Sequence, residues 1–134
     1  MKLNTVMLVD DNDADLLYTR IVLEHAGVCE RVLSFGSGPE ALEHLRRAGG
    51  AGIDAILLDI NMPEMDGFEF LQAYETLPES ARAGAVVVML SASPNPRDRE
   101  RALRFASVRK FVVKPIDLVQ AEELLALLGP EVCS

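Results

Sequence analysis

Short apolar blocks alternate along this chain with stretches whose apolar residues recur at helical spacing. A compact apolar run bounded by turn residues suits a buried strand, and three- and four-residue spacing suits an amphipathic helix. Thr5–Val9 (TVMLV) is the first such run and stops at Asp10 and Asp11. Leu16, Leu17, Ile21, Val22 and Leu23 then mark a helix over residues 14–26, with Asn12 or Asp13 as its cap and Gly27 at its end. Residues 30–35 (ERVLSF) predict a second strand. Ser37–Glu40 matches a capping box with Pro39 tolerated in the first turn, and opens a helix to about Ala48. The GGAG at 49–52 is a connector. It lacks the lysine and hydroxyl of a phosphate loop, and it precedes a strand instead of following one.

The third run leads into Asp59, in the stretch AILLDINMPEMDG at 55–67. Apolar residues without alternation suit a strand buried on both faces. Turn chemistry follows at once in Asn61, Pro63, Asp66 and Gly67. A helix is expected from about Gly67 to Thr76, carrying Phe68, Phe70, Leu71 and Tyr74, and then a polar loop over 78–84. Residues 85–90 (AVVVML) form the most apolar strand, with Ser91 after it. Asn95 and Pro96 introduce a highly charged helix over 97–105, whose narrow apolar side leaves most of it in water. Residues 110–113 (KFVV) predict a fifth strand, ended by Lys114 and Pro115. Asp117 caps a last helix over 118–128, which Gly129 and Pro130 are expected to stop.

Strand and helix thus alternate five times. The pattern predicts one α/β domain, a parallel sheet with helices on both faces and right-handed crossovers. A length of 134 residues suits a single core, and 49% hydrophobic content suits a globular chain. No apolar run approaches a membrane span. Acids follow the first apolar run directly, which is not a signal-peptide plan, so the expected location is the cytoplasm. A net charge of −8 and the lack of a basic patch interleaved with aromatics argue against nucleic acid and anionic membrane as partners. Cys29 and Cys133 read as free thiols, Cys29 buried and Cys133 in a frayed tail, and are too few for a structural zinc site. His25 and His44 have no partners at metal spacing and read as structural residues; Met62 and Met65 read as loop packing.

In open parallel sheets, function sits beyond the carboxyl ends of the strands. The predicted ends carry Asp10 and Asp11, Asp59, Ser91 and Lys114. Any one of these is an ordinary strand-end residue; their joint placement is what suggests chemistry. Crowded carboxylates repel unless cations intervene. A hard divalent ion with oxygen ligands, Mg²⁺ foremost, answers that need, and Lys114 adds a further positive charge. A metal, an amine and a hydroxyl around one carboxylate suit a phosphoryl group, with Asp59 accepting it as a mixed anhydride.

With these residues in place, the chain resembles, end to end, a receiver domain of the two-component response regulator family, CheY-like and single-domain. The likeness rests on VDD at 9–11, LLDINMPEMDG around Asp59, LSAS at 90–93 and VKP at 113–115, together with the spacing between them. It implies a flavodoxin-like (βα)5 fold with strand order 2-1-3-4-5. It implies that Asp59 is the phosphoacceptor, that Asp11 is a direct Mg²⁺ ligand with Asp10 nearby, and that the backbone carbonyl of Asn61 completes the protein's metal contacts. Ser91 resembles the hydroxyl that turns toward the phosphoryl group. Lys114 would pair with a phosphoryl oxygen, across a cis bond to Pro115, and Gly67 matches the glycine after the active-site loop. The switch aromatic is Phe111 where tyrosine is frequent, so a switch there would rest on packing; a plain core residue is the alternative. Asn61 and Ser93 flank the water approach and would influence phosphate lifetime.

The function implied is a switch, not an enzyme acting on a separate substrate. A sensor histidine kinase or a histidine phosphotransfer domain phosphorylates Asp59, and a distal face then changes its protein contacts. Residues 1–134 are expected to be one receiver without an output domain; a receiver excised from a longer regulator or hybrid kinase would read identically. The charged helix at 97–105, the fifth strand and the last helix are the implied partner surface, for an unknown downstream protein or a second copy in a homodimer. Two rivals fit less well. A haloacid-dehalogenase-type enzyme wants its nucleophile at the end of strand one with a second Asp two residues on, where this chain has Asp10, Asp11 and Asn12. A flavodoxin-like cofactor binder wants a Ser/Thr/Gly-rich phosphate loop there.

Overall fold

The computed structural model describes residues 2–82 and 85–133, with side chains through residue 126. Five parallel strands form one sheet in the order β2-β1-β3-β4-β5. They are β1 (Leu3–Val9), β2 (Cys29–Phe35), β3 (Ile53–Asp59), β4 (Val86–Ser91) and β5 (Val108–Val113). The helices are α1 (Asp13–Ala26), α2 (Gly38–Ala48), α3 (Gly67–Glu75), α4 (Glu79–Arg82), α5 (Pro96–Leu103) and α6 (Leu118–Cys133).

The sheet alternates its side chains between two cores, as the two-residue period of a strand requires. Met7, Val9, Ile56, Leu58, Val87, Met89 and Phe111 enter the core that contains residues of α2, α3 and α5. Val6, Leu8, Ala55, Leu57, Val86, Val88, Leu90 and Val112 enter the core beneath α1 and α6. The three central strands are buried almost throughout, while the edge strand β2 is only half-buried. That is why the first, third and fourth strands read as apolar runs and the second does not.

Capping follows the sequence closely. Asn12 caps α1, its side chain accepting from the Asp15 N–H, and Gly27 closes the helix at φ 66. The Ser37 hydroxyl accepts from the Glu40 N–H, and Asn95 caps α5. Asp66 and Glu69 form a full capping box on α3, and Asp117 and Gln120 exchange the same pair of bonds at α6. His44 is half-buried against Phe35, with ring centroids 5.2 Å apart, and His25 is exposed. Met62 is buried and Met65 packs against the same core.

Two expectations need correction. The segment 78–84 is not all loop: Glu79–Arg82 forms the single turn α4. The Pro78 carbonyl accepts from the N–H groups of both Ala81 and Arg82, and Ala81 is buried. The last helix does not stop before Gly129 and Pro130 but continues to Cys133. A proline removes one backbone donor, which weakens a helix without necessarily ending it. Cys29 is half-buried, and burial together with Glu24 pushes its thiol up from the usual value. The Cys133 side chain lies outside the described residues.

Gly67 is required by space. Its N–H donates to the Ile60 carbonyl at 2.8 Å, and a Cβ there would lie 2.7 Å from the Asp59 carbonyl oxygen and 3.0 Å from Ile60 Cα. Backbone cannot yield as a flexible side chain can. Gly67→Ala is therefore expected to lower stability by about 1–3 kcal/mol, read as a lower urea midpoint. An unchanged midpoint would show that the loop after Asp59 relaxes freely.

Candidate functional site

The chain reverses direction across the sheet between β1 and β3, and this places the site. β1 pairs with β2 on one side and β3 on the other, with Val9 opposite Leu58. Asp10 follows Val9 and Asp59 follows Leu58, so the two carboxylates emerge side by side at the switch point. Asp59 pairs in turn with Leu90, and Ser91 with Val113 next to Lys114. Register alone thus gathers residues that lie up to 104 positions apart.

Lys114 sits at the centre. Its Nζ donates to Asp10 Oδ2 at 2.7 Å and to Asp15 Oδ2 at 2.9 Å, and lies 3.1 Å from Asp59 Oδ1. The Lys114–Pro115 bond is cis. Asp10 and Asp59 are buried, and Asp11 is exposed at the mouth. Carboxylate oxygens of Asp10, Asp11 and Asp59 lie within 4.8 Å of one another, the one cluster of metal-ligand type found among the described residues. Asp10 is further tied by accepting the Asn12 N–H at 2.9 Å.

Electrostatics follow from this geometry. Burial, then the neighbouring Asp10 charge, push the Asp59 carboxyl up to about 6, against the pull of Lys114. One ammonium therefore does not neutralise the cluster. Burial alone would lower Lys114, but its bonds to Asp10 and Asp15 and the charge of Asp59 outweigh that and raise it. A hard cation with oxygen ligands fits three close carboxylates left short of positive charge.

The remaining predicted residues have the following places. The Ser91 hydroxyl is turned into its own loop, donating to the Ser93 carbonyl at 2.8 Å and accepting the Ser93 N–H at 3.1 Å. Phe111 is 9% exposed and packs inside the core. Asn61 and Ser93 are exposed. The loop between Asp59 and α3 is held by the Ile60 N–H bond to the Leu90 carbonyl and by a tight turn in which Glu64 adopts φ 67. One contact was missing from the sequence reading, the bond from Lys114 to Asp15. No spacing rule connects residues 99 apart, so only the fold reveals it.

Comparisons with known proteins agree with this picture. Residues 6–127 match the family described as response regulator receiver domain. The chain is 32% identical over 130 residues to the signal transduction histidine-protein kinase BarA of Escherichia coli, covering 94% of this chain and 13% of BarA. It spans between 6% and 16% of the length of the curated kinases and sensory proteins it matches, and 72% of the probable methanogenesis regulatory protein FilR2. Among solved structures, a two-component response regulator from Cytophaga hutchinsonii superposes with a TM-score of 0.89 at 26% identity, covering 97% of this chain and 99% of that one. The phosphorylated cyanobacterial phytochrome response regulator RcpA gives a TM-score of 0.75 at 30% identity, covering 93% and 94%. With the family match running through every strand of the sheet, and its acidic cluster at the switch point, the chain belongs to the response regulator receiver domain family.

Proposed function

We propose that Asp59 accepts a phosphoryl group from a phosphohistidine on a histidine kinase or histidine phosphotransfer domain. The carrying observation is the buried Asp59 carboxylate, 3.1 Å from the Lys114 ammonium and clustered with Asp10 and Asp11. An Asp59 oxygen attacks phosphorus while the phosphorus–nitrogen bond of the donor breaks, its electron pair leaving with the imidazole. Lys114 is already placed to neutralise an oxygen of the incoming group. Asp10, Asp11 and Asp59, with the Asn61 carbonyl, would hold Mg²⁺, which when bound neutralises charge developing on the phosphoryl oxygens. Similarity to the kinase BarA and to a phosphorylated regulator supports this donor class.

The response is a change of shape, and the chain acts as acceptor and switch, not as an enzyme on a separate substrate. Ser91 would exchange its bond to Ser93 for one to the phosphoryl group, and the buried Phe111 would repack with it. Asn61 and Ser93, at the rim, would set how readily water reaches the phosphoryl group. The output surface would be α5, β5 and α6, where Leu103, Val113, Leu118 and Val119 are exposed and Lys110 of β5 pairs with Glu123 of α6. A downstream protein or a second copy would use it. No described helix is long and apolar enough to cross a membrane. A cytoplasmic site of action suits a kinase donor.

Incubation with acetyl phosphate and Mg²⁺, read by intact mass, tests the proposal. The wild type is expected to gain one phosphate, and neither Asp59→Asn nor the wild type in chelator to gain any. Phosphate retained by Asp59→Asn would move the acceptor to another residue.

A further inference from the structure

Lys114 is held by one carboxylate that lies outside the acidic cluster. Asp15, in the first turn of α1, accepts from Nζ at 2.9 Å. An ammonium has three N–H groups. Asp10 and Asp15 take two, and Asp59 lies within reach of the third at 3.1 Å. The three carboxylates are not equivalent: the Asp15 side chain is 43% exposed, against 6% for Asp10 and for Asp59. Asp15 therefore holds the ammonium from the solvent side.

Local structure explains why Asp15 is free to do so. Its own N–H is fixed by the Asn12 cap at 3.0 Å. An acid at this third helical position commonly reaches back to the N–H of the cap residue, as Glu69 does to Asp66 at 2.9 Å. The Asn12 N–H already donates to Asp10 Oδ1. The Asp15 carboxylate instead crosses to the turn between β5 and α6.

We propose that Asp15 is a positioning residue for phosphoryl acceptance, anchoring the Lys114 ammonium so that its charge stays aimed at Asp59. The inference rests on the reading of Asp59 as acceptor. Lysine is a point charge on a flexible stem with large rotamer entropy. Electrostatic stabilisation is effective when donors are fixed before charge develops. As Asp59 takes on a phosphoryl group, Lys114 must exchange one carboxylate oxygen for a phosphoryl oxygen, and a second fixed anchor keeps it from swinging into water meanwhile. Asp15 also brings negative charge toward an anionic donor. Its exposure lets solvent and salt screen that repulsion, while a direct hydrogen bond is retained.

The full chain is compared with Asp15→Ala, Asp15→Asn and Asp13→Ala, the last removing an exposed acid from the same helix turn. Two quantities are read: the initial rate of phosphate uptake from acetyl phosphate with Mg²⁺, and the exchange of the Lys114 ammonium protons with water by nitrogen NMR without donor. Asp15→Ala is expected to slow uptake about tenfold, the worth of one charge-assisted hydrogen bond, and to speed ammonium exchange. Asp15→Asn keeps an oxygen acceptor and is expected to restore most of both; Asp13→Ala is expected to change neither. Uptake that is unchanged or faster in Asp15→Ala, or equally slowed in Asp13→Ala, would overturn the proposal. Failure of the acceptor reading is separate: it shows as phosphate on Asp59→Asn, and an ammonium signal indifferent to Asp15 would still reject the anchor.

Discussion

Replacing Asp59 with asparagine is expected to stabilise the metal-free protein at pH 7 by about 3 kcal/mol while removing its ability to take up phosphate. The carboxyl is pushed from its ordinary 3.8 up to about 6, first by burial and then by Asp10. An acid whose folded value is raised is favoured in the fold when protonated. Folding carries no penalty from it below about pH 3.8, loses stability as pH rises from there, and bears the full penalty above about pH 6. Asparagine has nothing to ionise, so the variant escapes the penalty. Thermal melts in chelator should show a Tm roughly 10 °C higher for Asp59→Asn at pH 7, with the gap closing toward pH 4. A gap independent of pH would mean that Asp59 is not strained by its charge. Since metal and proton compete for the same oxygens, Mg²⁺ should raise the wild-type Tm more at pH 8 than at pH 5. The residue that weakens the resting fold is thus the one proposed to do the chemistry, the usual sign of a functional carboxylate.

Lys114→Ala should have the opposite sign. The ammonium is the counter-charge to two buried carboxylates, Asp10 and Asp59. Removing one partner of a buried ion pair strands the other and costs about 3–5 kcal/mol. The raised Lys114 value means that its stabilising contribution is complete below the unfolded lysine value near 10.5 and is lost only as pH climbs through the folded one. At pH 7 the whole effect should therefore appear as a lower denaturant midpoint. Acidification toward pH 5 should narrow the difference, because Asp59 then takes up a proton and needs the amine less. Wild-type stability in Lys114→Ala at pH 7 would sink this account and imply that water already screens the cluster.

Most of the architecture was legible in the chain. Runs such as TVMLV and AVVVML are apolar without alternation because β1 and β4 are covered on both faces. Asn12, Ser37, Asn95 and Asp117 announce helix starts because capping is a local contact over two or three residues. Positions at strand ends were legible for the same reason, since burial pattern shows where each strand stops. Two local signals misled. The turn at Glu79–Arg82 is too short for its periodicity to be read, and Gly129 and Pro130 bias a chain against helix without forbidding it.

Sequence alone therefore determined the five strand–helix units and which polar residues stand at the ends of strands one, three, four and five, because these rest on nearest-neighbour spacing and burial, while the likeness to the family was carried by four short motifs. Tertiary structure decided everything that depends on register between strands distant along the chain. It set Asp10 beside Asp59 and sent Asp15 across to Lys114. Those contacts are settled by which strand pairs with which and by competition for single N–H groups, and no run of adjacent residues encodes either.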